Sequence, residues 1–266
     1  MNKLSDRLNR LSYSQTFVMS NKARDMKAAG IDVISLTLGE PDFDVPANIK
    51  QAAFDAINQN FSHYSPVPGF LELRKAIVNK LKRDNNLEYK PTQICVANGA
   101  KQNIFNVLAA LVNEGDEVIL PAPYWVSYDE MVKINGGVSV FIETNIDTEF
   151  KMTAEQLEAA ITPKTKAVLY SSPCNPSGSY YTREELEKIA NVMAKYPYVT
   201  IISDEIYEYI NYDGKHTSIA EFPQVYEQTA VINGMSKAFA MTGWRIGYSA
   251  CPEWLADACD KLQGQV

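Results

Sequence analysis

Val199-Thr200-Ile201-Ile202-Ser203-Asp204-Glu205-Ile206-Tyr207 decides the fold class. Val199 to Ser203 reads as one continuous apolar strand without alternation, the kind buried on both faces of a parallel sheet. The strand runs straight into Asp204. A carboxylate at the end of such a strand is costly to bury without a partner. A protonated ring nitrogen would be such a partner; exposure at the surface is the plainer alternative.

Working outward, short apolar runs alternate with helical patterns from about residue 92. Further strands are expected at 94–97, 117–120, 138–142, 166–171, 230–233 and 245–250. Helices are expected from Lys101 to Val112, from a capping box at Thr153 and Gln156 to about Ile161, and from a second box at Thr182 and Glu185 to near Lys195. Pro252 stands where a first-turn proline would open a last helix. Strands alternating with helices predict an α/β fold: a mostly parallel, doubly wound sheet of about seven strands, with helices on both faces. The first ninety residues differ. Leu4, Leu8 and Leu11 predict a short amphipathic helix, 36–43 an extended arm, and 49–58 and 71–84 two helices. The last four residues, Gln263-Gly264-Gln265-Val266, fall inside an apparent helix without a C-cap signal, so the chain reads as cut short.

Composition narrows the function classes. With 266 residues, 46% of them hydrophobic, the chain can bury a large core as one large domain or two smaller ones. A net charge of −7 argues against nucleic acid and anionic membrane surfaces. No apolar run approaches a membrane span, and the N-terminus lacks the apolar core of a secretory signal, so a cytoplasmic location is expected. Four cysteines without a CxxC pair, and only two histidines, give no zinc pattern and no disulfide framework; no metal site is read.

In open α/β sheets ligands gather beyond the carboxyl ends of the strands, so the residues just after each strand are the ones to weigh. Asn98-Gly99-Ala100-Lys101 opens a helix, where free amides and the helix dipole suit a phosphate; taken alone, the glycine is only a tight turn. Trp125, after 117–120, can stack on a planar ring or simply fill core. Asn175, in Pro173-Cys174-Asn175-Pro176, is either turn chemistry or an amide donor at the sheet edge. Asp204 and Tyr207 follow 199–203. Gly234-Met235-Ser236-Lys237 follows 230–233 and leads to Thr242-Gly243-Trp244-Arg245-Ile246-Gly247. A lysine amine can form a Schiff base with a carbonyl cofactor, and an arginine fork can hold its phosphate. A solvated lysine beside a strand is the bland alternative. A phosphate cradle, a ring, an amide, an acid, a phenol, a lysine and an arginine at successive strand ends make chance a poor explanation.

The run Gly234–Gly247 resembles the attachment signature of class I/II pyridoxal-phosphate aminotransferases of fold type I, and the chain from about residue 10 onward is most similar to the bacterial aspartate/prephenate branch. The resemblance implies residues 1–46 as an N-terminal arm with part of a small domain, and 47–266 as the large cofactor-binding domain. It implies that Lys237 bonds the aldehyde of pyridoxal 5'-phosphate and then serves as general base, and that Asp204 pairs with the ring nitrogen. Tyr207 and Asn175 would bond the ring's phenolic oxygen, and Trp125 would stack on its face. Ser236, Arg245 and the amides of Gly99, Ala100 and Lys101 would hold the phosphate. Tyr64 would reach the phosphate of a neighbouring subunit, implying a homodimer with shared sites. Gly39 would let the arm close over substrate, while Ser14, Thr16 and Lys101 would serve an acidic substrate side chain.

The implied activity is ping-pong transamination between an amino acid, aspartate or glutamate, and a 2-oxo acid, with prephenate as another acceptor. Family members continue past residue 266, and the missing part carries the arginine that grips the substrate α-carboxylate. An inactive binding or dimerising fragment is therefore one alternative. Others are a C–S lyase or decarboxylase on the same fold, and a Ser236–Lys237 hydrolase. The last is disfavoured because neighbours on an extended segment point to opposite sides.

Overall fold

A computed structural model describes residues 3–266. Among these, seven strands form: β1 (Ile94–Asn98), β2 (Glu117–Ala122), β3 (Val138–Glu143), β4 (Thr165–Ser171), β5 (Thr200–Asp204), β6 (Thr229–Gly234) and β7 (Ile246–Ala250). They make one sheet in the order β1-β7-β6-β5-β4-β2-β3. From β3 to β6 every pairing is parallel, whereas β7 runs antiparallel to both β6 and β1.

The helices are α1 (Asp6–Asn9), α2 (Gln15–Ala28), α3 (Ala47–Asn58), α4 (Leu71–Asn85), α5 (Ala100–Leu111), α6 (Ser127–Ile134), α7 (Ala154–Ala160), α8 (Arg183–Met193) and α9 (Glu253–Gln263). Successive strand residues face opposite sides, which explains the unbroken apolar run in β5. Ile202 joins the core built with Ile104 and Leu108 of α5 and Leu255 of α9. Ile201 joins the opposite core with Leu157 of α7 and Leu186 and Ile189 of α8. A third cluster sets Ile77 and Leu81 of α4 against Ile94, Val231 and Tyr248. Each fully buried Leu or Ile contributes about 1.5–3 kcal/mol, so the sheet is held from both faces.

Both expected capping boxes form. The Gln156 amide donates to Thr153 Oγ1 at 3.2 Å, and the Thr153 amide to Gln156 Oε1 at 2.9 Å. The Glu185 amide donates to Thr182 Oγ1 at 3.3 Å, and the Thr182 amide to Glu185 Oε2 at 2.8 Å.

Three expectations need correction, and two helices were not anticipated. The leucine helix near the N-terminus is only α1, and Leu4 and Leu8 are exposed, so no apolar face is buried there. Helices α2 and α6 had no counterpart in the sequence reading: α2 buries only Ala23 and therefore carries no apolar stripe, and α6 is eight residues long. Arg245 is not in the strand. It is left-handed at φ 56°, and β7 begins at Ile246. Helix α9 ends before the last residue, at Gln263, with the Gly264 amide bonded to the Asp260 carbonyl at 2.9 Å.

Candidate active site

The register of the sheet brings the flagged residues to one edge. Ser171 lies opposite Asp204, and Asp204 opposite Ile232, so β4 and β5 end at the same level and β6 runs two residues further, to Gly234. Because β7 is antiparallel, its first residues start at that level: Gly247 pairs with Gly234, and Ile246 with Asn98 at the end of β1. A sheet wholly parallel here would have put Arg245 at the far edge. The reversal of β7 sets it beside Gly99 instead.

Asp204 is 4% exposed. Tyr128 Oη donates to its Oδ2 at 2.6 Å and the Ile206 amide to its Oδ1 at 3.2 Å. Burial pushes its carboxyl up to about 6, although these bonds and the charge of Lys237 oppose the rise. Tyr207 lies in the turn after β5, where Asn175 Nδ2 donates to its hydroxyl at 3.4 Å. Burial and the Asp204 charge raise the Tyr207 phenol, so it stays protonated.

The Lys237 ammonium lies 5.7 Å from the centre of the Tyr207 ring and donates to the Gly39 carbonyl. Burial lowers its pKa; Glu40 and Asp204 oppose this, and Arg245 adds to it. The extended arm is therefore in contact with the lysine, and Thr242 Oγ1 donates to Glu40 Oε1 at 2.6 Å alongside. Ser236 is buried next to Lys237. The two lie in a turn rather than an extended segment, which corrects the geometric premise used against a Ser-Lys pair; among the described residues, no hydrogen bond joins their side chains.

Arg245 donates from Nη1 to the Thr242 carbonyl at 2.8 Å and from Nη2 to the Asn98 carbonyl at 3.1 Å. Gly99 (φ +85°) precedes α5, and a Cβ built on it would collide with the Arg245 guanidinium. A Cβ on Gly247 would collide with the Ala100 amide nitrogen. Glycine at these two positions lets the start of α5, the arginine and β7 close to contact, and the amides of Ala100 and Lys101 precede the point where intrahelical acceptors begin. The Lys101 ammonium sits 5.3 Å from the Trp125 ring centre, and Trp125 packs edge-on to Tyr128 at 5.5 Å. Burial lowers the Lys101 pKa, and Arg245 lowers it further, so two cations crowd one end of the site.

Residues 31–266 match the model of a family described as aminotransferase class I and II. The chain belongs to that family.

Among its aminotransferase relatives, the aspartate/prephenate aminotransferase of Cereibacter sphaeroides is 50% identical over 264 residues, an alignment covering 98% of this chain and 66% of that protein. The aspartate aminotransferase of Bacillus sp. strain YM-2 is 53% identical over 249 residues, covering 93% of this chain and 63% of the relative. The crystal structure of the Rhizobium meliloti aspartate aminotransferase superposes with a TM-score of 0.96 at 42% identity, covering all of this chain and 67% of that one. The chain thus spans slightly less than two thirds of these two curated relatives.

Not every flagged residue joins the cluster. Tyr64 is fully exposed, and among the described residues it makes no hydrogen bond to Asp204, Lys237 or Arg245. Ser14 is the N-cap of α2 and Thr16 lies in its first turn; among the described residues, neither is hydrogen-bonded to Asp204, Lys237 or Arg245. The sequence reading also passed over Tyr128, whose signal is an aromatic three residues after Trp125 on α6, and the buried network behind Asp204. There His216 Nε2 meets Glu205 Oε2 at 3.0 Å, and Ser203 and Ser218 both donate to Glu205 Oε1, at 2.9 and 2.7 Å. Asn85 Nδ2 donates to Glu208 Oε2 at 2.9 Å. Ligand atoms of Glu205, Glu208 and His216 lie within 4.8 Å of one another. The Lys80 ammonium already supplies the positive charge there, through its ion pair with Glu208.

Proposed function

We propose that the sheet-edge cluster binds pyridoxal 5'-phosphate and that the protein transfers amino groups between an amino acid, aspartate or glutamate, and a 2-oxo acid. One observation carries this: a buried acid, a partly desolvated lysine, and an arginine packed on a helix N-terminus all lie at the same sheet edge. The residues fit the group. The glycine-lined approach of Arg245 to α5 leaves the helix amides and two repelling cations facing one place, which an anion such as a phosphate would relieve.

The phosphate would be held by Arg245, Ser236 and the amides of Gly99, Ala100 and Lys101, and the aldehyde carbon by Lys237. The bound ring would supply a conjugated electron sink for the electrons released when a bond at the substrate α-carbon breaks. The chain's residues do the rest. Asp204, anionic in a dry site, would hold a proton on the ring nitrogen. Tyr207 and Asn175 would hydrogen-bond the phenolic oxygen, and Trp125 would cover the ring face and exclude water. Lys237 Nζ, once released from the aldehyde carbon by the substrate amine, and with its basicity reduced by burial, would take up the α-proton and hold it. Gly39 would place the arm over the substrate, and Ser14, Thr16 and Lys101 would face its acidic side chain. The names of the relatives support aspartate as the amino donor.

In this reading residues 1–46 are an arm with part of a small domain, and 47–266 form the large domain. The protein is a homodimer, in which the exposed Tyr64 reaches the phosphate site of the second copy. Four free cysteines accord with a cytoplasmic location. No helix among the described residues is long and apolar enough to cross a membrane. Borohydride reduction of the protein mixed with pyridoxal phosphate, followed by peptide mapping, is expected to label Lys237. Label on another lysine, or none, would overturn the assignment.

A further inference from the structure

Tyr128 is 1% exposed, and its hydroxyl lies 2.6 Å from Asp204 Oδ2. The other carboxylate oxygen already takes the Ile206 amide at 3.2 Å. A carboxylate only accepts, so the single phenolic proton must point at Asp204, leaving the phenol oxygen to accept from elsewhere. Ser171, the last residue of β4, lies near enough to the phenol to influence its proton. The Ser171 Oγ in turn accepts the Asn175 amide at 3.3 Å. Ser171 is thus held by the Asn175 backbone on one side and lies beside the phenol on the other, while Tyr128 donates to Asp204. The ring cannot swing away from this position: Trp125 packs on it at 87°, and Met131 and Val132 bury the same side of α6.

We propose that Tyr128 is a positioning residue for Asp204: its buried hydroxyl, set between Ser171 and the carboxylate, keeps Asp204 charged and oriented at the sheet edge. The consequence for function rests on the reading that Asp204 faces the ring nitrogen. Burial alone drives Asp204 toward its neutral form, and Tyr128 opposes that. Burial and the facing carboxylate hold the phenol's own proton far more tightly than usual, so Tyr128 remains a donor across the working pH range. The other charged groups facing Asp204 are Glu205, which disfavours its charge, and Lys237, which favours it.

The test is a carbon-13 NMR titration of aspartate carboxyls in the cofactor-free 266-residue chain, with Asp204→Asn used to assign the resonance. Tyr128→Phe is expected to move the Asp204 midpoint to higher pH, with about tenfold tighter proton binding or more. Ser171→Ala, which leaves the ring packing untouched, is expected to move it the same way by less. An unmoved midpoint in folded Tyr128→Phe overturns the proposal. If that variant does not fold, an unmoved midpoint in Ser171→Ala overturns it. Borohydride trapping of pyridoxal phosphate on the unaltered chain tests the cofactor reading separately. Failed trapping sinks that reading and leaves the titration standing, whereas normal trapping with an unmoved titration sinks only the role of Tyr128.

Discussion

The Arg245 guanidinium occupies the space that a side chain on Gly99 would need. Gly99 itself sits at φ +85° and ψ 163°, a region that only glycine enters without strain. Gly99→Ala is therefore expected to lower stability by roughly 1–3 kcal/mol and to displace the arginine. Pyridoxal phosphate affinity should fall at least about tenfold, the loss of one charge-assisted contact. Urea denaturation and a cofactor titration measure the two effects; unchanged affinity would disconnect Gly99 and Arg245 from phosphate binding.

Asp204 should give the cofactor-free protein an unusual acid profile. Its carboxyl is raised from 3.8 to about 6 by burial, so the folded chain binds this proton more tightly than the unfolded chain. Its contribution therefore weakens the fold as pH climbs from about 4 to 6, by an order of 3 kcal/mol in all. Urea midpoints across that window should show the slope in the unaltered chain and a flatter one in Asp204→Asn. Equal slopes would show that another group carries it.

His216 acts in the opposite sense. Burial opposes its charge, but Glu205 and Glu208 outweigh both burial and the repulsion of Lys80, and its pKa is raised. Its stabilising effect is fully present below the ordinary histidine value of about 6.5 and is lost as pH rises through the raised folded value. Melting curves between pH 6 and 9 should decline in the unaltered chain and lose that component in His216→Gln.

Lys80 and Glu208 form a buried pair, with side chains 17% and 4% exposed. Lys80→Met leaves the carboxylate with Asn85 and the nearby His216 and should cost about 3 kcal/mol or less. Adding Glu208→Leu should recover much of that loss. A double-mutant cycle in denaturant reads both numbers, and additive losses would show the two groups to be uncoupled.

Residues around the sheet were legible because burial on two faces writes an apolar run, as in Val199–Ser203. The rule that ligands gather at strand ends then located Trp125, Asn175, Asp204 and Lys237. Other features left no local trace. Gly39 meets Lys237 across 198 residues of chain, a contact made by folding alone. Nothing in Ser127-Tyr128-Asp129 shows which way a buried phenol points, and only the register of β4 with β5 puts Ser171 and Asp204 within its reach. Helix α2 stayed hidden because its face is almost wholly exposed.

The pairing of Gly234 with Gly247 closes residues 235–245 into one loop that holds both Lys237 and Arg245. The lysine and the arginine are thus the two jaws of a single clamp with a fixed span. Substitutions between them change the lining of that clamp, but an insertion or deletion changes its gape. Divergence in this segment should accordingly proceed by replacement at constant length, while length variation falls on loops at the opposite edge of the sheet.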